Sequence, residues 1–142
     1  MLSRVVTAGL LLALAGCTNV KVEPVAPQYK ITTLCIEENP KVVVGDFVAG
    51  IQTVLRRHGI DSQVYTAPVP ANCEYRLNYT AIRSWDLSMY LSDATVRLYK
   101  GEQQIGFAHY NLTNEGGFDL SKLASVEEKM APVFNQLLGQ KQ

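Results

Sequence analysis

From Val5 to Leu14 (VVTAGLLLAL) the chain runs without a charge, with a single Arg at position 4 before it and the small residues Ala15 and Gly16 after it. A helix needs about 20 apolar residues to cross a bilayer, so this run is too short to stay as a span. Polar Thr18 and Asn19 follow almost at once. A short positive start, a brief apolar stretch and small residues before Cys17 are the pattern of a secretory signal, which implies that the rest of the chain folds after export.

The closing residues of that run, Leu14-Ala15-Gly16-Cys17, resemble the lipobox of bacterial lipoproteins. The resemblance implies that the Cys17 thiol receives a diacylglycerol, that cleavage falls before Cys17, and that the new amino terminus is acylated. Thr18 after the lipidated cysteine, where an Asp would retain the protein, implies the outer membrane. Two or more acyl chains anchor stably where one does not, so the chain is expected to sit permanently on that membrane, facing the periplasm. Residues 1–16 are then a signal peptide, 17–28 (with Pro24 and Pro27) a lipidated cysteine and flexible tether, and 29–142 one domain.

The composition suits an ordinary globular domain: 47% of residues are hydrophobic, which excludes disorder. Thirteen basic residues balance thirteen acidic ones. A neutral chain offers no basic face for phosphates, so nucleic acid is not an expected partner. Nor is there a polybasic patch for anionic headgroups, which leaves the lipid alone to provide anchoring.

With Cys17 assigned to lipid, Cys35 and Cys73 remain, and an even pair in an exported chain predicts a disulfide. A metal site is not expected, because there is no C-x-x-C and the only histidines, His58 and His109, lie far apart. No cofactor is implied.

Along the domain, Tyr29–Ile36 is rich in β-branched residues and predicts a first strand. Phe47, Val48, Ile51, Val54 and Leu55 form a helical stripe within residues 44–58, ending on Arg56, Arg57 and His58, with Gly59 as cap. His58 reads as a solvated helix-end charge. A second strand is expected in residues 60–66, then Pro68 and Pro70 in a loop leading to Cys73. Alternation predicts a third strand from Tyr75 to about Arg83, a fourth from Met89 to Tyr99, and a fifth from Gln104 to Leu112, the last two joined by a tight turn at Lys100–Gln103. Asn114–Gly117 should end the sheet. Ser125 and Glu128 make a capping box ahead of a closing helix, in which Pro132 should cause a kink or break. The expected fold is α+β: a two-layer sandwich with a mixed, mostly antiparallel sheet of about five strands and two helices on one face. In element order alone, this looks like the small α+β lipoproteins that assist envelope machines, such as the lipopolysaccharide-assembly lipoprotein or the lipoprotein activators of peptidoglycan synthases; no residue motif beyond the lipobox carries over.

Catalytic chemistry finds little purchase. A nucleophile needs a base within reach and a group to orient that base, and His109, sharing a strand face with Ile105 and Phe107, reads as a half-buried structural residue. Glu37-Glu38 and Glu127-Glu128 are neighbours along the chain and do not face one another. No phosphate-binding loop follows Gly116-Gly117. The segment Ser84–Tyr90, expected to be a loop or strand end, holds the sole Trp. If Trp85 closes the core it is structural; if exposed, it and Leu87, Met89 and Tyr90 are the leading partner contact, since aromatic side chains dominate interface centres. The expectation is a non-enzymatic envelope accessory or binding lipoprotein, its partner an envelope protein or a cell-wall or lipid component. Two rivals are a small periplasmic hydrolase using His109 with Asp86, Asp93 or Glu102, and a carrier of an apolar ligand held in a cavity between sheet and helices.

Overall fold

The computed structural model describes residues 18–86, 88–112 and 120–139. One six-stranded mixed sheet carries two helices. The strands are β1 (Thr18–Glu23), β2 (Thr33–Glu37), β3 (Asp61–Tyr65), β4 (Tyr75–Asp86), β5 (Ser88–Lys100) and β6 (Gln103–Leu112); the helices are α1 (Phe47–Arg57) and α2 (Val126–Leu138), the latter preceded by a 3-10 turn at Leu120–Leu123. The strand order is β1-β6-β5-β4-β2-β3, with β2 parallel to both β3 and β4 and every other pairing antiparallel.

Period-2 patterning decides which face is covered. Leu34 and Ile36 of β2, Tyr75, Leu77, Tyr79 and Ala81 of β4, Ala94, Val96 and Leu98 of β5, and Ala108, Tyr110 and Leu112 of β6 are all buried. Against them pack Phe47, Ile51, Val54 and Leu55 of α1 and Met130, Val133, Phe134 and Leu137 of α2. Burying a side chain of this size contributes about 1.5–3 kcal/mol, so this layer dominates stability. Among the described residues no helix covers the opposite sheet face. The expected α+β sandwich is therefore present, with one strand more than expected.

That extra strand lies in the segment expected to be a tether. Val20 and Val22 are half-buried among the core residues, opposite Tyr110 and Ala108 of β6, while Asn19, Lys21 and Glu23 alternate with them. Six paired positions along β6 and a hydrogen bond from Val25 N–H to the Leu137 carbonyl (2.9 Å) replace the solvation a tether would keep. The arm presses so closely on β6 that a Cβ at Gly106 would stand 2.7 Å from Val25 Cγ2 and 3.1 Å from Leu137 Cδ1, and only glycine fits there. Of residues 17–28, then, 18–23 are sheet, and the first strand of the domain proper is shorter than predicted, beginning at Thr33.

Both helix ends that the sequence marked take their expected form. Gly59 (φ 71°) closes α1 with its N–H on the Arg56 carbonyl and the Ile60 N–H on the Leu55 carbonyl, the two bonds of a Schellman motif. Ser125 accepts from the Glu128 N–H at 3.1 Å while the Glu128 carboxylate accepts from the Ser125 N–H at 3.2 Å, a complete capping box. Pro132 does not end α2, which continues to Leu138 because Val133, Phe134 and Leu137 are held in the core beyond it. His58 is buried, at 7% exposure, with Nε2 3.0 Å from Asn135 Oδ1 of α2, so it is a packed link between the helices and not a solvated charge. Cys35 and Cys73 form a disulfide (Cα–Cα 6.0 Å) that ties the loop before β4 to β2. Cys17, Leu87 and Asn114–Gly117 lie outside the described residues.

Candidate functional site

Of the two expectations for Ser84–Tyr90, a loop or a strand end, the second holds: the segment is the far end of a long hairpin. Pairing between β4 and β5 continues from Tyr75↔Lys100 to Asp86↔Ser88, with an irregularity between Ile82 and Arg83. Ser92 is the extra residue there. Its hydroxyl donates to the Ile82 carbonyl at 3.1 Å and accepts from Ser84 Oγ at 2.7 Å, pinning the bulge. Beyond the bulge, Trp85 stands directly opposite Met89, and they are 69% and 47% exposed. Trp85 therefore does not close the core. Ile82 and Leu123 add further exposed apolar surface (57% and 68%).

Tyr90 belongs to the support rather than to the surface. Its ring lies beneath two ammonium groups, Lys122 Nζ at 5.5 Å and Lys129 Nζ at 5.4 Å from the centroid, within the range of a cation–π contact. Lys122 also pairs with Asp86, and Lys129 donates to the Leu91 carbonyl at 3.2 Å. Both lysines are buried. The hairpin end is thus fastened to the turn before α2 and to α2 itself, leaving Trp85 and Met89 outward. Sequence reasoning missed both lysines, since nothing local marks a lysine that pairs with a residue more than thirty positions away. A shallow cleft of about 310 Å³ flanks this fastening, lined by Val44, Asp46, Arg83, Met89, Tyr90 and Leu123 among others.

The uncovered sheet face is polar and aromatic. Its side chains are paired in rows: Arg76 over the Tyr99 ring (4.8 Å), Arg97 over the Phe107 ring (5.2 Å), and His109 Nε2 at 2.8 Å from Asp93 Oδ2, which also accepts from Asn111 Nδ2 at 2.9 Å. Beside the disulfide, the Glu37 carboxylate takes a hydrogen bond from the Tyr65 hydroxyl at 3.4 Å and lies 4.0 Å from Arg76. Burial, and after it the negative charge of Glu37, push the Tyr65 phenol above its ordinary value. Asn78 Oδ1, midway along this face, is buried without a hydrogen-bond partner among the described residues.

For the rival readings the geometry is informative. His109 does meet a carboxylate, Asp93, as a hydrolase would require, but on an open sheet surface; neither described cleft is lined by the pair. The space between sheet and helices, where an apolar ligand would sit, is filled by side chains at 0–1% exposure such as Phe47, Phe134, Leu77 and Met130. The larger cleft, about 390 Å³, opens instead at the helix ends beside Val25, Tyr29, Ile31, His58 and Leu138. Among the described residues no cluster of three or more His, Cys, Asp or Glu side chains is placed to hold a metal.

An open mixed sheet backed by two helices on one side is the architecture on which this hairpin is mounted. The same fold occurs in PelC from Paraburkholderia phytofirmans, solved as a dodecamer: 15% of residues are identical, 87% of this chain and 99% of that one are covered, and the TM-score is 0.59. A single-substitution variant of the same PelC dodecamer, in another crystal form, matches with 14% identity, the same coverage and the same TM-score. No family model matches the chain. No curated protein matches it either.

Proposed function

We propose that this protein is a non-enzymatic accessory lipoprotein of the bacterial envelope, anchored in the outer membrane by lipid on Cys17 and facing the periplasm, and that it works by binding another envelope component. The observation that carries the reading is the hairpin end. A 69% exposed tryptophan facing an exposed methionine, on a support fastened by two buried lysines, is a rigid apolar contact held away from the body. Large aromatic side chains are left in water at a cost that binding recovers. The His109–Asp93 pair supports this reading too, because the second hydrogen bond from Asn111 accounts for the carboxylate as part of the sheet surface.

The dodecameric state of the PelC structures favours self-association as the form in which the chain acts, with closed symmetry the usual outcome for identical subunits. Replacement of Cys17 by Ser tests the anchor. The variant should leave the membrane fraction and appear in the soluble periplasmic fraction, and unchanged membrane retention would refute the lipid-anchor reading. Mass measurement of the solubilised native protein tests the assembly, a monomer at all concentrations ruling it out.

A further inference from the structure

Strand register places the start of β1 and the exposed hairpin end at one pole of the molecule. Asn19 pairs with Asn111, Asn111 with Asp93, and Asp93 with Ile82, so these residues form one row across β1, β6, β5 and β4, with the Thr18–Leu112 pair one residue beyond it. Among the described residues, β4 and β5 continue furthest beyond that row, to the Asp86–Ser88 pair. At about 3.3 Å per residue, Trp85 stands roughly 10 Å past the row. The chain enters its first strand at Thr18, immediately after Cys17, and therefore on the side toward which the hairpin projects.

We infer that the occupant of the hairpin end is the lipid bilayer itself, with Trp85 and Met89 dipping into the interfacial layer of the membrane that holds Cys17. This rests on the lipid-anchor reading above and names the partner of the same surface. The chemistry fits an interface better than a hydrocarbon interior: tryptophan has an apolar body and an indole N–H that favours headgroup depth. Exposed Arg83, at the base of the projection, is placed for lipid phosphates. Trp85 and Met89 are directly opposed in the ladder, and the charge of Asp86 next to them is paired with Lys122. The surface contributed by two side chains is too small for stable binding alone. With the lipid holding the protein at the membrane, the hairpin need only fix its orientation, so the domain stands on two points instead of swinging on one.

Trp85 is the only tryptophan of the chain, so its fluorescence reports this site without substitution. The full lipidated protein is reconstituted into vesicles of phosphatidylethanolamine and phosphatidylglycerol containing lipids brominated near the headgroup end or near the tail end of the acyl chain. The expected result is a blue-shifted emission, quenched most by the shallow bromines and protected from iodide. Emission that keeps the colour and iodide access of a tryptophan in water, in protein that remains vesicle-bound, overturns the inference and leaves the anchor standing. Protein that does not stay with the vesicles removes the anchor reading as well. A photoreactive residue at Met89 in intact cells gives the complementary test: phospholipid adducts support the bilayer as occupant, whereas a recurrent protein adduct, including a second copy of this chain, overturns it while upholding the hairpin end as a binding surface.

Discussion

The β4–β5 hairpin is two structures joined at a bulge. Over Tyr75–Ala81 and Ala94–Tyr99 each second residue is buried and the other face is paired in polar rows; past Ile82, among the described residues, Leu91 alone is fully buried and the alternation is lost. The lower half is held by burial. The upper half is held by a few polar fastenings: the Ser84–Ser92 bond, Asp86 with Lys122, and Lys129 beneath the Leu91 carbonyl. Two strands alone are marginal in water, so without those fastenings the upper half would have no reason to persist as a ladder. Burial makes a region indifferent to function and intolerant of change; polar fastening frees apolar side chains to face outward.

That contrast can be broken from the bottom. Replacing Cys35 and Cys73 by Ser opens a 38-residue separation beside the start of β4, which in the chain-entropy account should cost about 4 kcal/mol in urea unfolding. Leu98→Ala, at a fully buried position opposite Leu77, should cost about 3 kcal/mol by the same measurement. At the junction, Ser92→Ala removes both hydrogen bonds of the bulge and should lower stability by about 1 kcal/mol while speeding amide exchange only in residues 83–91. Trp85→Ser should change stability by less than about 0.5 kcal/mol, since an exposed side chain contributes little to folding. A loss as large as that of Leu98→Ala would mean that Trp85 is core after all.

The smallest effect concerns pH. Because the Tyr65 phenol is raised in the folded protein, the fold binds that proton more tightly than the unfolded chain does. Its contribution is complete below the unfolded phenol value and is lost as pH rises from about 10 through the raised one, so stability should fall slightly across that window. In Tyr65→Phe the fall should be shallower, read as the difference in unfolding midpoint between neutral and alkaline buffer.

Much of this was legible in the residues. Caps were local signals and took their expected form at Gly59 and Ser125–Glu128; the cysteine pairing and the α+β layering followed from counts and periods. Where the reading failed, the deciding contact was remote. TNVKVE has only two inward valines before Pro24, too few to outweigh the look of a linker until β6 is there to receive them. His58 looked solvated because Asn135 is 77 positions away. Residues 84–90 lacked strand alternation because that part of the hairpin has almost no core to alternate against. Exposure of Trp85 was one of two outcomes that the sequence left open.

β1 also sets how the protein bears load. Its ladder bonds to β6 lie across the strand, so a pull applied at Thr18 along the strand axis strains all of them together rather than peeling them one by one. With the lipid anchor proposed for Cys17, this edge strand would be a shear joint, spreading any pull from the anchor over the whole Thr18–Glu23 ladder before it reaches the core.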